Sequence, residues 1–105
     1  MTSVRQMVTA IQAEVRDTEL VPERAAELLL KGTALIGNVT QEIREADAAY
    51  AHVLLDCLKS EDKANRARIV AETTPAYARK REARDTHELL VELCRSLKVY
   101  IRAAS

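Results

Sequence analysis

The chain has 105 residues, enough for one domain with a modest hydrophobic core. Hydrophobic residues make up 48% of it, but there are three Tyr, no Phe and no Trp, so Ala, Val, Ile and Leu must fill that core. Two Gly and two Pro are too few for the turns of a sheet protein, and the 16 basic and 16 acidic side chains give a net charge of zero. We therefore predict an all-α protein with a single helical domain over residues 1–105.

A first helix is predicted over residues 3–16. Ser3 suits its N-cap, and apolar residues follow at the spacing of one helix face, namely Val4, Met7, Val8, Ile11 and Val15. Residues 17–21 are a short connector. Pro22 then suits the first position of the next helix, and the acidic Glu23 after it favours a helix N-terminus.

The second helix is predicted to run from Pro22 to about Lys59. Residues that are mostly small or apolar recur along it at alternating intervals of three and four, which places them on one stripe that requires a partner helix. This first stripe comprises Ala25, Leu29, Gly32, Ile36, Val39, Ile43, Ala46, Tyr50, Val53 and Cys57. Two glycines make a break over residues 31–38 the alternative, because each weakens a helix by up to about 1 kcal/mol relative to Ala. We favour a continuous helix because the stripe keeps its phase, and because Gly32 on the stripe would let another helix approach closely.

A short helix is predicted next, over residues 61–72. Ser60 and the acidic residues after it form a helix start signal. Ile69 and Val70 are the apolar contacts expected of this helix.

The last helix is predicted from Pro75, capped by Thr74, to about Arg102. Its second stripe comprises Ala76, Lys80, Ala83, His87, Leu90, Cys94, Leu97 and Ile101. Further apolar residues lie off this stripe and need the first helix or a second subunit to cover them; they are Leu89, Leu93, Val99 and Tyr100. The pattern predicts a long antiparallel helical hairpin, coiled-coil-like, with an extra N-terminal helix and an oligomeric assembly.

The two cysteines are expected to be reduced. With the hairpin turn placed near residue 67, Cys57 faces residue 77 and Cys94 faces residue 40, which is too far apart for a disulfide. Buried reduced thiols are typical of a cytosolic protein. The polar start of the chain predicts no signal peptide, and no stretch approaches the roughly 18 apolar residues of a membrane span. We therefore expect a cytoplasmic protein that does not associate with a membrane.

No enzyme motif is present, and no catalytic residue, metal or cofactor is predicted. His87-Glu88 begins like a zinc-protease motif, but position 91 is Val rather than His. The glycines at 32 and 37 lack the strand and the Gly-Lys-Ser/Thr ending of a phosphate loop.

Basic residues are concentrated in the middle of the chain. Residues 59–84 contain eight basic and four acidic side chains, whereas residues 1–58 contain five basic and nine acidic ones. Clustered Lys and Arg bind phosphate backbones or acidic protein surfaces, and otherwise form a solvated helix face. The candidate binding residues are Lys63, Arg66, Arg68, Arg79, Lys80, Arg81 and Arg84. Interleaved acids such as Glu82 and Asp85 favour a protein over a nucleic acid, and Tyr77 alone could stack on a base.

The C-terminal half carries a recognisable order of small, apolar and charged segments. They are Ala46-Asp47-Ala48-Ala49-Tyr50, Leu58-Lys59, the turn Ser60-Glu61-Asp62-Lys63, a helix from Ala64 to Ala71, and Leu90-Val91-Glu92-Leu93-Cys94-Arg95. With these segments the chain resembles a loose group of small α-helical phage and prophage proteins. The resemblance implies a phage-type protein from an early or DNA-metabolism gene neighbourhood, placed in the host cytoplasm, and it transfers no catalytic residue.

Together these observations predict a non-enzymatic helical interaction protein. We expect a homo-oligomer that acts as a phage-type accessory or inhibitor on a protein of DNA recombination, replication or defence. The alternative is a nucleic-acid-binding module that uses the basic segment 59–84.

Overall fold

The computed structural model describes residues 3–104, and all regular structure within them is helical. The four helices are α1 (Val4–Asp17), α2 (Pro22–Ser60), α3 (Ala64–Ala71) and α4 (Pro75–Ala104). The long helices α2 and α4 pack against each other. The predicted all-α helical hairpin with an extra N-terminal helix is therefore confirmed.

Helix α1 begins where the capping residue predicts. The Gln6 backbone N–H donates to Ser3 Oγ at 3.1 Å, and the Ser3 N–H donates to the Gln6 side chain at 2.8 Å. This reciprocal pair is a capping box, which satisfies two backbone donors at the helix N-terminus. Val8 and Ile11, both on the predicted face, are buried.

Helix α2 is continuous over 39 residues, so the alternative of a break within 31–38 is wrong. A Cβ atom at Gly32 would lie 2.9 Å from Cys94 Sγ and 3.5 Å from Leu90 Cδ1, whereas one at Gly37 would meet nothing within 4 Å. The predicted close approach of a second helix at Gly32 is thus confirmed, and that helix is α4.

Helix α3 begins later than predicted. Ser60 is the last residue of α2, and its hydroxyl donates to the backbone carbonyls of Asp56 and Cys57 instead of capping the next helix. The N-cap position of α3 is Lys63, which makes no side-chain capping bond.

The buried face of α3 also differs from the prediction. Ile69 and Val70 are 57% and 40% exposed, while Ala67 and Ala71 are completely buried. The two alanines are four residues apart and therefore share one face, whereas Ile69 points about 200° around the helix from Ala67 at 100° per residue. A methyl-sized face lets α3 pack closely, and the larger side chains remain outside.

The register of the hairpin differs from the prediction as well. Cys94 packs against Gly32 rather than near residue 40, and Tyr77 packs against Tyr50 rather than Cys57. Both pairings are centred near residue 63, close to the end of α2, and not near residue 67. The reason is that residue 67 lies inside α3, a helix with a buried face of Ala67 and Ala71, and not in the turn of the hairpin.

Two compact units can be distinguished along the chain, one formed by residues 3–39 and 86–104 and the other by residues 40–85. The core of the first unit contains large aliphatic side chains, including Val8, Leu28, Val39, Leu90 and Leu97. The core of the second unit is made of small residues and one tyrosine: Ala46, Tyr50, Ala67, Ala71 and Ala83. The prediction of one domain over 1–105 stays a prediction.

Polar contacts fix α1 within the first unit. Arg24 donates from Nε and Nη2 to the two carboxylate oxygens of Glu14, at 2.6 and 2.8 Å. Arg5 donates to the Thr86 hydroxyl at 3.2 Å, and the Tyr100 hydroxyl donates to the Leu20 carbonyl. Within residues 3–104, no helix is both long and apolar enough to cross a membrane.

Candidate interaction surface

All seven predicted binding residues lie in the second unit. Lys63, Arg66 and Arg68 belong to the start and body of α3, and the other four lie on the first half of α4. The structure brings them into one unit, but most of them already have partners there.

Arg79 is held by two glutamates of α2. Its Nε donates to Glu42 Oε1 at 2.8 Å and its Nη2 to Glu42 Oε2 at 3.2 Å, and Nη2 also lies 3.5 Å from Glu45 Oε2. The paired donation matches the fork of a guanidinium to the two oxygens of a carboxylate. It holds the pKa of the Glu42 carboxyl below its usual range, against a smaller opposing effect of burial.

Arg84 is paired in a similar way with Asp47. Its Nη2 donates to Asp47 Oδ2 at 2.7 Å. The other oxygen, Oδ1, is buried and accepts no hydrogen bond from the residues between 3 and 104. Removing Arg84 would therefore leave this carboxylate without its compensating charge.

Lys80 and Arg81 lie over tyrosine rings. The Lys80 ammonium is 4.6 Å from the ring centre of Tyr50, and the Arg81 guanidinium is 5.9 Å from that of Tyr77. The two rings contact each other, with centres 5.4 Å apart and planes inclined by 44°. Burial, assisted by the charge of Glu72, raises the pKa of the Tyr50 hydroxyl. Arg81 would therefore compete with a base for one face of Tyr77, the ring proposed for base stacking.

The remaining three basic residues lie at α3. Arg68 donates to the Asn65 side chain at 3.0 Å. Lys63 and Arg66 are exposed and form no ion pair with any residue between positions 3 and 104. Of the seven candidate residues, Lys63 and Arg66 at α3 are therefore the two best placed to bind a partner.

The charge of the second unit is balanced. Residues 40–85 contain nine basic and nine acidic side chains, so the excess of positive charge in 59–84 is offset by α2 and Asp85. The pairs Arg79–Glu42 and Arg84–Asp47 carry out part of that compensation directly. Counting charges along the sequence did not reveal this, because the compensating acids lie 37 residues earlier.

Exposed aliphatic side chains form the surface that sequence reasoning missed. We define the α3 patch as Leu55, Leu58, Ile69 and Val70, which are 54%, 41%, 57% and 40% exposed. The signal for half of it was present in the sequence, since Leu55 and Leu58 lie off the first stripe. The signal for the other half was hidden, because Ile69 and Val70 were expected to be the buried contacts of α3.

The first unit contains an apolar groove of about 520 Å³ between α1 and α2. Its lining residues are Met7, Ala10, Ile11, Glu14, Arg24, Leu28, Lys31, Ala34 and Leu35. The Glu14–Arg24 ion pair lies on this lining, and Arg24 also donates to Glu27 at 2.8 Å. The guanidinium is therefore neutralised by two carboxylates.

Within residues 3–104, no group of three or more His, Cys, Asp or Glu side chains is arranged to hold a metal ion. Comparison with protein-family models, with curated proteins and with solved structures finds no match in any of the three.

Proposed function

We propose that the chain is a non-enzymatic helical interaction protein whose partners are proteins. The observation that carries this proposal is the balanced charge of the second unit, in which nine basic residues meet nine acidic ones. A nucleic acid is attracted by net positive charge, and the net charge of this unit is zero.

The contacts of the basic residues support the same conclusion. A phosphate backbone would have to replace the glutamates on Arg79 and the aspartate on Arg84, and it would be repelled by those displaced carboxylates. The exposed aliphatic groups of the second unit, which form the α3 patch, favour a protein partner instead, since exposed apolar patches mark interaction sites.

The biological setting of the proposal comes from the resemblance of residues 46–102 to phage and prophage proteins. We place the chain in the host cytoplasm, as an oligomeric accessory or inhibitor that acts on a protein of DNA recombination, replication or defence. Capture of partners from a bacterial lysate, followed by a binding measurement with each purified partner, tests this assignment. Absence of direct binding to any such protein would count against it.

The second candidate is nucleic-acid binding, favoured by the exposed and uncommitted Lys63 and Arg66. Electrophoretic mobility shift of duplex DNA separates the two functions. We expect no shift at about 0.15 M salt, where non-specific phosphate contacts are already weakened.

Two double variants make this test specific. If wild-type protein does shift DNA, Lys63→Ala/Arg66→Ala should weaken binding and reduce the slope of log affinity against log salt by about 0.7–0.9 for each phosphate that is no longer neutralised. Arg79→Ala/Arg84→Ala is the matched control with the same change of charge, since those two side chains are committed to carboxylates. A shift that depends on the first pair more than on the second would establish the nucleic-acid function instead.

A further inference from the structure

We propose that the α3 patch is the docking surface for a second copy of this chain, which yields a two-fold symmetric dimer. The proposal rests on the proposed function and names one of its protein partners. Three features of the second unit carry it: the orientation of α3, the position of the patch and the distribution of charge around it.

The orientation of α3 is unfavourable for an isolated chain. This helix buries Ala67 and Ala71 and exposes Ile69 and Val70, although burial of a large aliphatic side chain contributes far more to stability than burial of a methyl group. The exposed pair therefore gains only part of its hydrophobic stabilisation from folding of the single chain. Covering it with another surface recovers that hydrophobic contribution.

The patch is formed by residues of two consecutive helices. Residues 61–63 are all that separate the end of α2 from the start of α3, so Leu55 and Leu58 lie at the same end of the second unit as Ile69 and Val70. Charged residues adjoin these four aliphatic residues in the sequence, as Asp56, Lys59 and Arg68 do, and an apolar centre with a polar rim is the composition of a protein interface.

The two chain segments that carry the patch have net charges of opposite sign, and we call them its acidic half and its basic half. Residues 55–62 contribute Asp56, Lys59, Glu61 and Asp62, a net charge of −2. Residues 63–72 contribute Lys63, Arg66, Arg68 and Glu72, a net charge of +2.

This division is self-complementary. In a two-fold interface, a contact between segment i of one copy and segment j of the other occurs twice. The basic half of each copy can therefore face the acidic half of its partner at both places. A phosphate-rich surface matches this division poorly, because it would be repelled by the acidic half while it is attracted by the basic half.

The first experiment is sedimentation equilibrium of the full chain and two single variants. We expect wild type to be a dimer at micromolar concentration, and Ile69→Lys to weaken the dimer at least about tenfold by placing a charge in its apolar centre. Leu30→Lys is the control, because Leu30 is 73% exposed and lies in the first unit, and it should leave the dimer unchanged. Circular dichroism verifies that each variant retains its helices.

A charge exchange tests the two-fold geometry itself. Lys63→Glu/Arg66→Glu makes both halves acidic, and Glu61→Lys/Asp62→Lys makes both halves basic, so each double variant alone should be largely monomeric. An equimolar mixture should dimerise again, because both contacts of the mixed pair join halves of opposite sign.

The proposal is overturned by a wild-type monomer at about 100 μM, well above the dissociation constants of specific protein complexes. It is equally overturned by a dimer that Ile69→Lys leaves intact, or by a mixture that associates no better than its components. A monomeric wild type that still binds another protein directly would remove this inference and the proposed oligomeric state, and would leave the proposed interaction with other proteins standing.

Discussion

At the scale of single residues, Gly32 and Gly37 form a natural pair for comparison. Both lie inside α2, where Ala is favoured over Gly by about 0.5–1 kcal/mol. Only at Gly32 does a Cβ atom meet another helix, 2.9 Å from Cys94 Sγ. We expect Gly37→Ala to raise the free energy of unfolding by about 0.5–1 kcal/mol, because the new methyl group meets open space.

Gly32→Ala should have the opposite sign. The Cys94 thiol is buried on a short side chain and must move, so overpacking of about 1–3 kcal/mol exceeds the gain in helix propensity. Urea denaturation of both variants measures the difference, and Gly32→Ala/Cys94→Ala should recover most of the loss. Equal stabilisation by both single variants would mean that α2 and α4 are less closely packed at this point.

Leucines of α4 provide the second residue-scale prediction. Leu90 is completely buried and Leu97 nearly so, and truncating either to Ala should lower the free energy of unfolding by about 2–5 kcal/mol. Lys80, on the same predicted stripe, lies over the Tyr50 ring, and Lys80→Ala should remove only about 0.5–1 kcal/mol. Urea denaturation measures all three variants. If Lys80→Ala lost as much stability as the two leucine variants, the side chain of Lys80 would contribute as much as the large core residues of the first unit, contrary to this expectation.

At the scale of helices, local signals in the sequence predicted α1, α2 and α4 well. Ser3 marks the start of α1 through its capping bond, and the unbroken stripe indicates that α2 continues through both glycines. The errors concern α3 and the turn, because their arrangement depends on how closely a short helix packs. That distance depends on the alanine face of α3 and also on the helices packed against it, so the sequence of α3 alone does not determine it.

The candidate site was predicted only in part for a related reason. Sequence spacing located the basic residues, but their partners lie on another helix, as with Arg79 and Glu42. Net charge along residues 59–84 therefore did not show that residues 40–85 as a whole are balanced. Hydrophobic spacing did contain the positions of Leu55 and Leu58 outside the stripe, and it could have indicated half of the α3 patch.

The contact of α1 with α2 predicts a dependence of stability on pH. Two hydrogen bonds from Arg24 hold the pKa of the Glu14 carboxyl below its ordinary value of 4.5. A carboxyl with a lowered folded pKa stabilises the fold above its unfolded pKa, and this stabilisation is lost as the pH falls through the folded value. We therefore expect the urea midpoint to decrease below about pH 4.5 in wild type, and less steeply in Glu14→Gln.

The matched control for this series is Glu19→Gln. Glu19 is exposed and forms no ion pair within residues 3–104, so its replacement should leave the slope below pH 4.5 as in wild type. High salt should reduce the difference in pH dependence between wild type and Glu14→Gln, because the Glu14–Arg24 pair is partly open to solvent. A Glu14→Gln profile identical to wild type would show that the pair contributes nothing to the stability of α1.

At the scale of the whole molecule, the two units differ in what fills their cores. Large aliphatic side chains fill the first, and alanines with one tyrosine fill the second. Since hydrophobic stabilisation scales with buried apolar area, the first unit has the larger stabilising contribution per core residue. Regions with fewer buried apolar contacts open more readily in the folded state.

Because Cys94 is enclosed, the rate at which its thiol reacts measures how often the first unit opens. Its thiol packs against Gly32, and burial raises the pKa of the thiol. An alkylating reagent therefore reaches Cys94 only when α2 and α4 separate in the first unit. Cys57, half-buried in the second unit, needs no such separation. We expect iodoacetamide to modify Cys57 in a fast phase and Cys94 in a slow phase, as followed by mass spectrometry of the intact protein. The rate of the slow phase, divided by that of the unfolded chain, then gives the fraction of time for which the helices are apart.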